Sequence, residues 1–458
     1  MAQHIPNHAV IEPELGDLTQ LPPYSEIDFK LLAKKDEAFK KIWQKHSGRL
    51  DFQDPETLKT LTAAILSADF GLKIDLPDNR LCPPVPNRWN YVAWIQALVD
   101  STSPDYSDQY KPSRKVTGLD IGTGASAIYT LLCLRTRPNW TMCCTDVDKK
   151  SFDSAARNLA LNNMLTRTKM LQTMEPNALI PLKFLGVEKL DFTICNPPFF
   201  ADETDMRSSI KGEGKSWSPN AVCTGSDVEM VCPGGDLGFV TRMVEESLVL
   251  KEKVTWYSSM LGKMSSAKAI VDLLKKHRIT NWAVGCLEPG ATTKRWVVAW
   301  SFGDYRPRND VARMEAIANE YLPFPTSYKI PLAADQTLAY AKETVNTNLA
   351  SLDLRWDWNA EASTGVGVAS QNVWQRAYRR QHEKKMKEKA DAGKRIDDDL
   401  MRELESPEDV AIAFRVRVLG IDTVAEESTR VLIEWLRGSD KVLWESLCGA
   451  IHGYFRKR

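Results

Sequence analysis

Apolar positions follow two rhythms along this chain, and the change between them divides it. From Asp28 to Lys45 they recur at helical spacing (Phe29, Leu32, Phe39, Ile42, Trp43), which predicts one helix. Asp54-Pro55-Glu56 reads as a helix start, with a capping carboxylate, a first-turn proline and an acid near the positive end. That helix carries Leu58, Leu61, Ala64 and Ile65 and stops near Gly71. Residues 80–87 read as a proline-rich connector, and Trp89–Val99 as an amphipathic helix.

From Lys115 the rhythm becomes alternating strands and helices. Strands are predicted at Val116–Ile121, Thr141–Thr145, Lys169–Thr173, Asp191–Cys195, Val254–Met260, Ile279–Leu287 and Arg295–Phe302. Helices are predicted at Ala125–Leu134, Ser151–Asn163, Leu237–Leu250 and Ser265–Lys276. Such alternation implies a parallel sheet covered on both faces. The last two strands are joined by a loop alone, so one of them must run antiparallel.

After residue 325 the pattern changes again. A helix (Gln336–Thr347), a short strand (Leu352–Trp358), a Gly/Ser-containing turn and a long basic helix (Val373–Lys389) come first. Two strands (Val410–Val418, Thr429–Trp435) and a helix (Lys441–Tyr454) follow. The order strand-strand-helix occurs twice, which reads either as a weak duplication or as chance. The expected organisation is a flexible segment 1–25, a helical extension 26–114, a catalytic core 115–305 and an α+β module 325–458. A charged linker is expected at about 391–407.

Composition narrows the class. The chain has 458 residues, 43% hydrophobic and 26% charged, with a formal net charge of zero. Attraction to nucleic acid must therefore come from local patches. The nine cysteines show no CxxC or CxH spacing and read as reduced core residues. Residues 1–18 lack the apolar stretch of a signal peptide, and no run of 18 apolar residues predicts a membrane span. The six histidines do not cluster, so no metal site and no nucleophilic triad is expected.

The chemistry is concentrated at two strand ends. Asn196-Pro197-Pro198-Phe199-Phe200 follows the strand that ends at Cys195. The Asn196 side-chain carbonyl and the Pro197 carbonyl are two acceptors for a planar NH2 group, held by the two prolines. Phe199 offers a face on which a base can stack. A plain Pro-Pro turn closing a buried strand is the bland alternative. Asp120-Ile121-Gly122-Thr123-Gly124 occupies the first strand-to-helix turn, with Ser126 just beyond. Ala127 stands where a dinucleotide fingerprint would need its third glycine, so the turn suits S-adenosylmethionine better than a pyrophosphate. Asp146, ending the second strand, is placed to accept two ribose hydroxyls. Arg88 is a candidate clamp for the methionine carboxylate, or else an arginine stacked on Trp89 at the surface.

Basic residues supply candidate RNA contacts. Arg207, Lys211 and Lys215 lie, with Trp217, in the long loop between Asp202 and Pro233. Between Trp374 and Arg395 nine Lys/Arg face three acids, including Arg376, Arg379, Arg380, Lys384 and Lys385. That local charge reads as a phosphate-binding face or a nuclear import signal, against the alternative of a solvated helix with Glu–Lys pairs.

Together these residues resemble one family. The matching segments are Asp69–Leu72, Pro83–Tyr91, Asp120–Ser126, Cys195–Phe200, Trp256–Ser258, Leu261–Lys263, Arg295–Trp296 and Ala299–Phe302, within residues 27–305. The family is the eukaryotic U6 small nuclear RNA adenine-N6 methyltransferases, related to the bacterial ribosomal RNA methyltransferase RlmF, and the chain looks like a fungal member. The resemblance implies a class I S-adenosylmethionine-dependent methyltransferase with a Rossmann-like seven-stranded sheet, the last strand antiparallel. It adds an N-terminal helical extension and a C-terminal α+β RNA-binding domain.

It further implies methyl transfer to an adenosine N6 in structured RNA, with U6 small nuclear RNA the expected substrate. S-adenosylhomocysteine is then the product, the protein a monomer, and the location the nucleus, with the cytoplasm as an addition. By the family pattern Arg88, Gly122, Asp146 and Asn196 contact donor or target, Phe199 and Phe200 sandwich the base, and Lys263 and Arg295 join the RNA-binding set. Two departures stand out. The loop Met174–Pro181 carries Asn177 where the family has a lysine that modulates donor access. Five acids and no Lys or Arg precede Lys30, where the family's N-terminal arm is basic. Two further readings stay open: a small-molecule amine N-methyltransferase of the tryptamine-alkaloid type, and a binding protein whose donor occupancy regulates splicing or mRNA fate.

Overall fold

The computed structural model describes residues 16–206, 227–290, 294–314, 318, 325–333, 335–391, 410–420 and 430–456. Arg207, Lys211, Lys215 and Trp217 lie outside the described residues, as does nearly all of the charged linker. The chain divides into two compact units. The first comprises residues 1–96, 110–279 and 285–301, and the second residues 97–109, 280–284 and 302–458.

The first unit opens with helices α1 (Phe29–Lys35) and α2 (Glu37–Lys45). One helix was expected here. Asp36 breaks it, because its own N–H bonds the Leu32 carbonyl while its carboxylate caps the Phe39 N–H, and its backbone is extended. Helix α3 (Pro55–Phe70) starts on the Asp54 cap and ends on left-handed Gly71, as its sequence predicts. Helix α4 (Val85–Ser101) begins four residues earlier than expected. Pro86 falls in its first turn, where a missing N–H costs nothing, so the prolines start the helix instead of preceding it. It is also not amphipathic: Val85, Trp89, Tyr91, Val92, Ile95, Leu98 and Val99 bury it around its whole circumference.

The seven strands are β1 (Val116–Ile121), β2 (Trp140–Asp146), β3 (Thr168–Gln172), β4 (Leu190–Cys195), β5 (Val254–Leu261), β6 (Asn281–Leu287) and β7 (Arg295–Ser301). They form one sheet in the order β3-β2-β1-β4-β5-β7-β6. Strands β1 to β5 pair in parallel, and β7 inserts antiparallel beside β5. Helices α5 (Ile128–Thr136), α6 (Lys149–Leu161), α7 (Gly235–Leu250) and α8 (Met264–Lys276) connect them. Helix α5 starts three residues later than expected because Ala127 adopts a left-handed conformation (φ 49°).

The second unit contains a five-stranded antiparallel sheet, β8-β12-β11-β10-β9. Its strands are β8 (Ser327–Pro331), β9 (Arg355–Asn359), β10 (Thr364–Ala369), β11 (Ile412–Leu419) and β12 (Arg430–Arg437). Helices α9 (Leu338–Ala350) and α11 (Lys441–Gly453) close one core through Val345, Leu349, Trp444 and Leu447. Strand β8 has no counterpart in the sequence pattern, and β10 lies where the pattern predicts a Gly/Ser-containing turn. The glycines misled: the Trp356 ring lies over Gly365 and the Phe414 ring over Gly367, where a Cβ would stand 2.2 and 2.3 Å from them. Both strand-strand-helix pieces enter this single sheet, so neither packs as a separate module. Helix α10 (Arg376–Asp391) carries Arg376, Arg379, Arg380, Lys384 and Lys385 exposed, while Tyr378 packs against the core.

Candidate active site

Strand register builds the site. Ile121 pairs with Cys195 on one side and with Thr145 on the other. The residues that follow, Gly122, Asn196 and Asp146, are therefore brought side by side at the carboxyl edge of three neighbouring strands. The strand order reverses between β1 and β4, the place where open α/β sheets hold their ligands.

A cavity of about 330 Å³ opens there. Its lining includes Arg88, Gly122, Gly124, Ser126, Asp146, Asn196, Pro197 and Pro198. Gly122 and Gly124 take positive φ (67° and 64°), which leaves the turn free of side chains over the cavity floor. Asp146 Oδ2 accepts from the Gly124 N–H (2.8 Å) and Oδ1 from the Asp148 N–H (2.9 Å). Burial is the main reason its carboxyl is pushed up to about 6, and the charges of Glu229 and Asp148 add to that.

Asp120 is not among the lining residues. It is fully buried, and its Oδ2 accepts from the hydroxyls of Thr123 (2.8 Å) and Thr130 (3.0 Å). It braces the glycine turn from behind. Its Oδ1 has no hydrogen-bond partner among the described residues, and burial pushes this carboxyl up to about 6 as well.

Arg88 stands over Tyr129 (5.6 Å to the ring centre), not over Trp89 at the surface. Only its Nη1 is engaged, donating to Asn196 Oδ1 (3.0 Å), Tyr129 Oη (3.2 Å) and Met260 Sδ (3.4 Å). Its other nitrogens have no partner among the described residues, although Arg88 is 95% buried. A buried guanidinium with unused donors at a cavity wall suits a carboxylate.

Phe199 and Phe200 lie half-buried beyond Pro198 and do not line the cavity. The Arg295 guanidinium sits over the Phe199 ring at 5.7 Å. Burial, with the like charge of Arg88 next, holds Arg295 below its ordinary value. Lys263 is exposed at the start of α8. Beside Phe199, Asp236 fixes the turn after β5 by accepting from Gly262 N–H (2.7 Å) and Ser266 Oγ (2.9 Å). Asn177 lines the cavity, and its carbonyl accepts from Arg242. The same arginine reaches the Pro176 carbonyl (3.3 Å), so the loop that lacks the family's lysine is held by a cation on α7. Sequence reasoning missed Arg242, Asp236 and Glu229; each acts across 26 or more residues, and no local pattern marks them.

Among the described residues, no group of three or more His, Cys, Asp or Glu side chains is arranged to hold a metal, and no helix is long and apolar enough to cross a membrane. Residues 23–304 match the family described as RNA methyltransferase. The chain belongs to that family. It is 39% identical over 278 residues to the U6 small nuclear RNA (adenine-(43)-N(6))-methyltransferase of Schizosaccharomyces pombe, covering 60% of this chain and 69% of that one. It is 37% identical over 286 residues to the mouse RNA N(6)-adenosine-methyltransferase METTL16, covering 60% of this chain but only 49% of the relative. The Flavobacterium johnsoniae ribosomal RNA large subunit methyltransferase F is 30% identical and 90% covered. The hMettl16 catalytic domain, solved with the MAT2A 3'UTR hairpin 6, matches 61% of this chain at 36% identity with a TM-score of 0.53. The match covers 94% of that catalytic domain, so this RNA methyltransferase carries the class I fold expected of it.

Proposed function

We propose that this RNA methyltransferase transfers a methyl group from S-adenosylmethionine to the N6 of an adenosine in a structured RNA, and that U6 small nuclear RNA is the substrate. The observation that carries this reading is the placement of Asn196 next to the glycine turn and Asp146, at the mouth of one cavity. The donor fits the residues present: Asp146 for the ribose hydroxyls, the bare turn at Gly122–Gly124, and the unused nitrogens of Arg88 for its carboxylate.

When bound, S-adenosylmethionine supplies an electrophilic methyl on a cationic sulfur. The chain's own work is orientation and exclusion of water. The bond from Arg88 fixes the Asn196 amide, and the second lone pair of Oδ1 is left for an incoming amine proton. The Pro197 carbonyl is the second acceptor. With both protons held, the nitrogen lone pair is aimed at the methyl, and the proton leaves to solvent after transfer. The target base must leave its stack to reach Asn196, and Phe199 and Phe200 provide the surface that receives it.

RNA grip is assigned to Lys263 and Arg295 at the catalytic edge and to the exposed basic face of α10 in the 325–458 region. The same face serves as a nuclear import signal, which places the protein in the nucleus, acting as a monomer.

The test is methyl incorporation from labelled donor, with a U6 hairpin and tryptamine offered in parallel. Label at adenine N6 is expected. Label on tryptamine alone would sink the RNA reading. Asn196→Ala should lower turnover by about 1000-fold, in the range of losing a transition-state hydrogen-bond partner, while S-adenosylhomocysteine still binds. Replacing Arg376, Arg379, Arg380, Lys384 and Lys385 with Gln should weaken hairpin binding more than tenfold and flatten its salt dependence. Unchanged affinity would remove α10 from the interface.

A further inference from the structure

The first residues of helix α5 line the donor cavity. The helix begins on Ala127, which is left-handed and offers no side-chain cap, and Ser126 Oγ takes only the Ile128 N–H (3.3 Å). A helix start this open favours an anion. Tyr129, the second residue of α5, is buried and lines the same cavity as Arg88, Ser126 and Asn196. Its ring is fixed by packing. Tyr91 of α4 lies edge-on against it (5.5 Å, 87°), and the Tyr91 hydroxyl is tied to Ser258 on β5 (2.8 Å). The Tyr129 hydroxyl accepts from Arg88 Nη1 (3.2 Å).

A phenol has one proton to give and lone pairs to accept with. Arg88 uses the accepting side, and the Tyr129 O–H has no acceptor among the described residues. Burial holds this phenol above its ordinary value, so the proton stays on the oxygen at neutral pH. A buried donor without an acceptor is costly, and a ligand that supplies one offsets that cost. Beside it, Arg88 Nε and Nη2 are also unused among the described residues. A guanidinium edge and a hydroxyl, both with protons to give, thus meet at the open start of a helix. A carboxylate has two oxygens and about four lone-pair sites, enough for all of them. An ammonium group can accept from none.

We propose that Tyr129 is a specificity-determining residue: its hydroxyl donates to the carboxylate of the methyl donor beside Arg88, so that the cavity selects ligands that carry this carboxylate. This rests on the donor reading above and adds a contact to it. The contact also ties the donor seat to the amide that receives the base. The Nη1 that bonds Tyr129 bonds Asn196 Oδ1 as well (3.0 Å). A carboxylate held by the hydroxyl and by the free edge of the guanidinium therefore keeps Nη1 on the Asn196 amide. Tyr129→Phe retains the ring against Tyr91 and removes only the hydroxyl.

The experiment is calorimetric titration of the full chain with S-adenosylhomocysteine and with its decarboxylated analogue, which keeps the amine and lacks the carboxylate. Wild type, Tyr129→Phe, Arg88→Ala and the double variant are compared. Tyr129→Phe should weaken S-adenosylhomocysteine about tenfold, near the lower end for a hydrogen bond to a charged group, and leave the affinity for the analogue unchanged. In the Arg88→Ala background the same change should still weaken S-adenosylhomocysteine by about threefold or more. Wild-type affinity for S-adenosylhomocysteine in Tyr129→Phe would overturn the proposal. Equal weakening of both ligands would also overturn it, because the hydroxyl would then act on the shape of the cavity. An effect that vanishes once Arg88 is gone would overturn the direct contact and make Tyr129 a support for the arginine. A wild type that binds S-adenosylhomocysteine but neither binds nor methylates the U6 hairpin would refute the RNA reading, and the two-ligand comparison would still judge Tyr129. A wild type that binds neither ligand would refute the donor reading and this proposal with it.

Discussion

The donor cavity and the face of the second sheet opposite its helices treat acidic side chains in opposite ways. At the cavity, Asp146 and, behind the turn, Asp120 have no cation partner among the described residues, and burial pushes both up to about 6. In the second unit, burial also pushes Asp108 up, but Arg415 (3.2 Å) and Arg417 more than offset it, and the carboxyl stays below its ordinary range. Glu434 completes that network by pairing with Arg417 (2.7 Å) and Arg415 (3.5 Å). The paired acid contributes to stability. The unpaired ones cost stability and leave negative charge where a cationic ligand can use it.

Substitution at each place should separate the two roles. The largest expected effect is on ligand binding. Asp146→Asn should weaken S-adenosylhomocysteine about 100-fold at pH 8, or about 2.8 kcal/mol, with little net change in melting temperature, because removing a buried charge without a cation partner offsets the one backbone N–H bond that the amide nitrogen cannot accept. Calorimetric titration and a melting curve on the same sample check both halves. Asp108→Asn should do the reverse. It leaves Arg415 and Arg417 short of a partner and should lower unfolding free energy by about 2 kcal/mol in a urea titration, with ligand affinity unchanged. That is less than a fully buried pair would lose, because the Asp108 side chain is 21% exposed.

The smaller effect is the pH profile. Asp146 must be ionised to accept the ribose hydroxyls, so affinity should be flat above about pH 7. It should fall as pH drops through about 6, approaching tenfold per unit for one proton. Asp146→Asn should abolish that fall. A fall that persists in the variant would assign the titration to Asp120 behind the turn or to another acid that lines the cavity.

The two regions also differ in how much their sequence disclosed. In the catalytic unit the legible features are local. Asn196-Pro197-Pro198 follows its strand directly, Gly122 and Gly124 sit within one turn, and Asp146 ends the next strand. Asp54 and Gly71 bracket α3 as their chemistry requires. What escaped notice depends on partners far along the chain. Arg242 meets the Pro176 carbonyl 66 residues earlier, and Glu229 meets Leu81 148 residues earlier. Neither contact leaves a spacing to read. In the second unit the local signal pointed the wrong way: two glycines that normally weaken a strand are there because indole and phenyl rings cover them. Tertiary packing overrode propensity. Asp36 and Ala127 are milder cases, where one residue's backbone shifted a helix end.

The flush ends of β1, β2 and β4 have a consequence for how the protein acquires its activity. Gly122, Asp146 and Asn196 come from three stretches of chain whose register is set by the backbone ladders. A slip of one residue in any ladder would turn every side chain on that strand to the other face and carry its terminal residue about 3.3 Å away. A misassembled sheet would therefore be catalytically silent, even where most of its hydrogen bonds survive. Enzymatic turnover in this protein thus doubles as a readout of correct strand alignment, more sensitive than any measure of secondary-structure content.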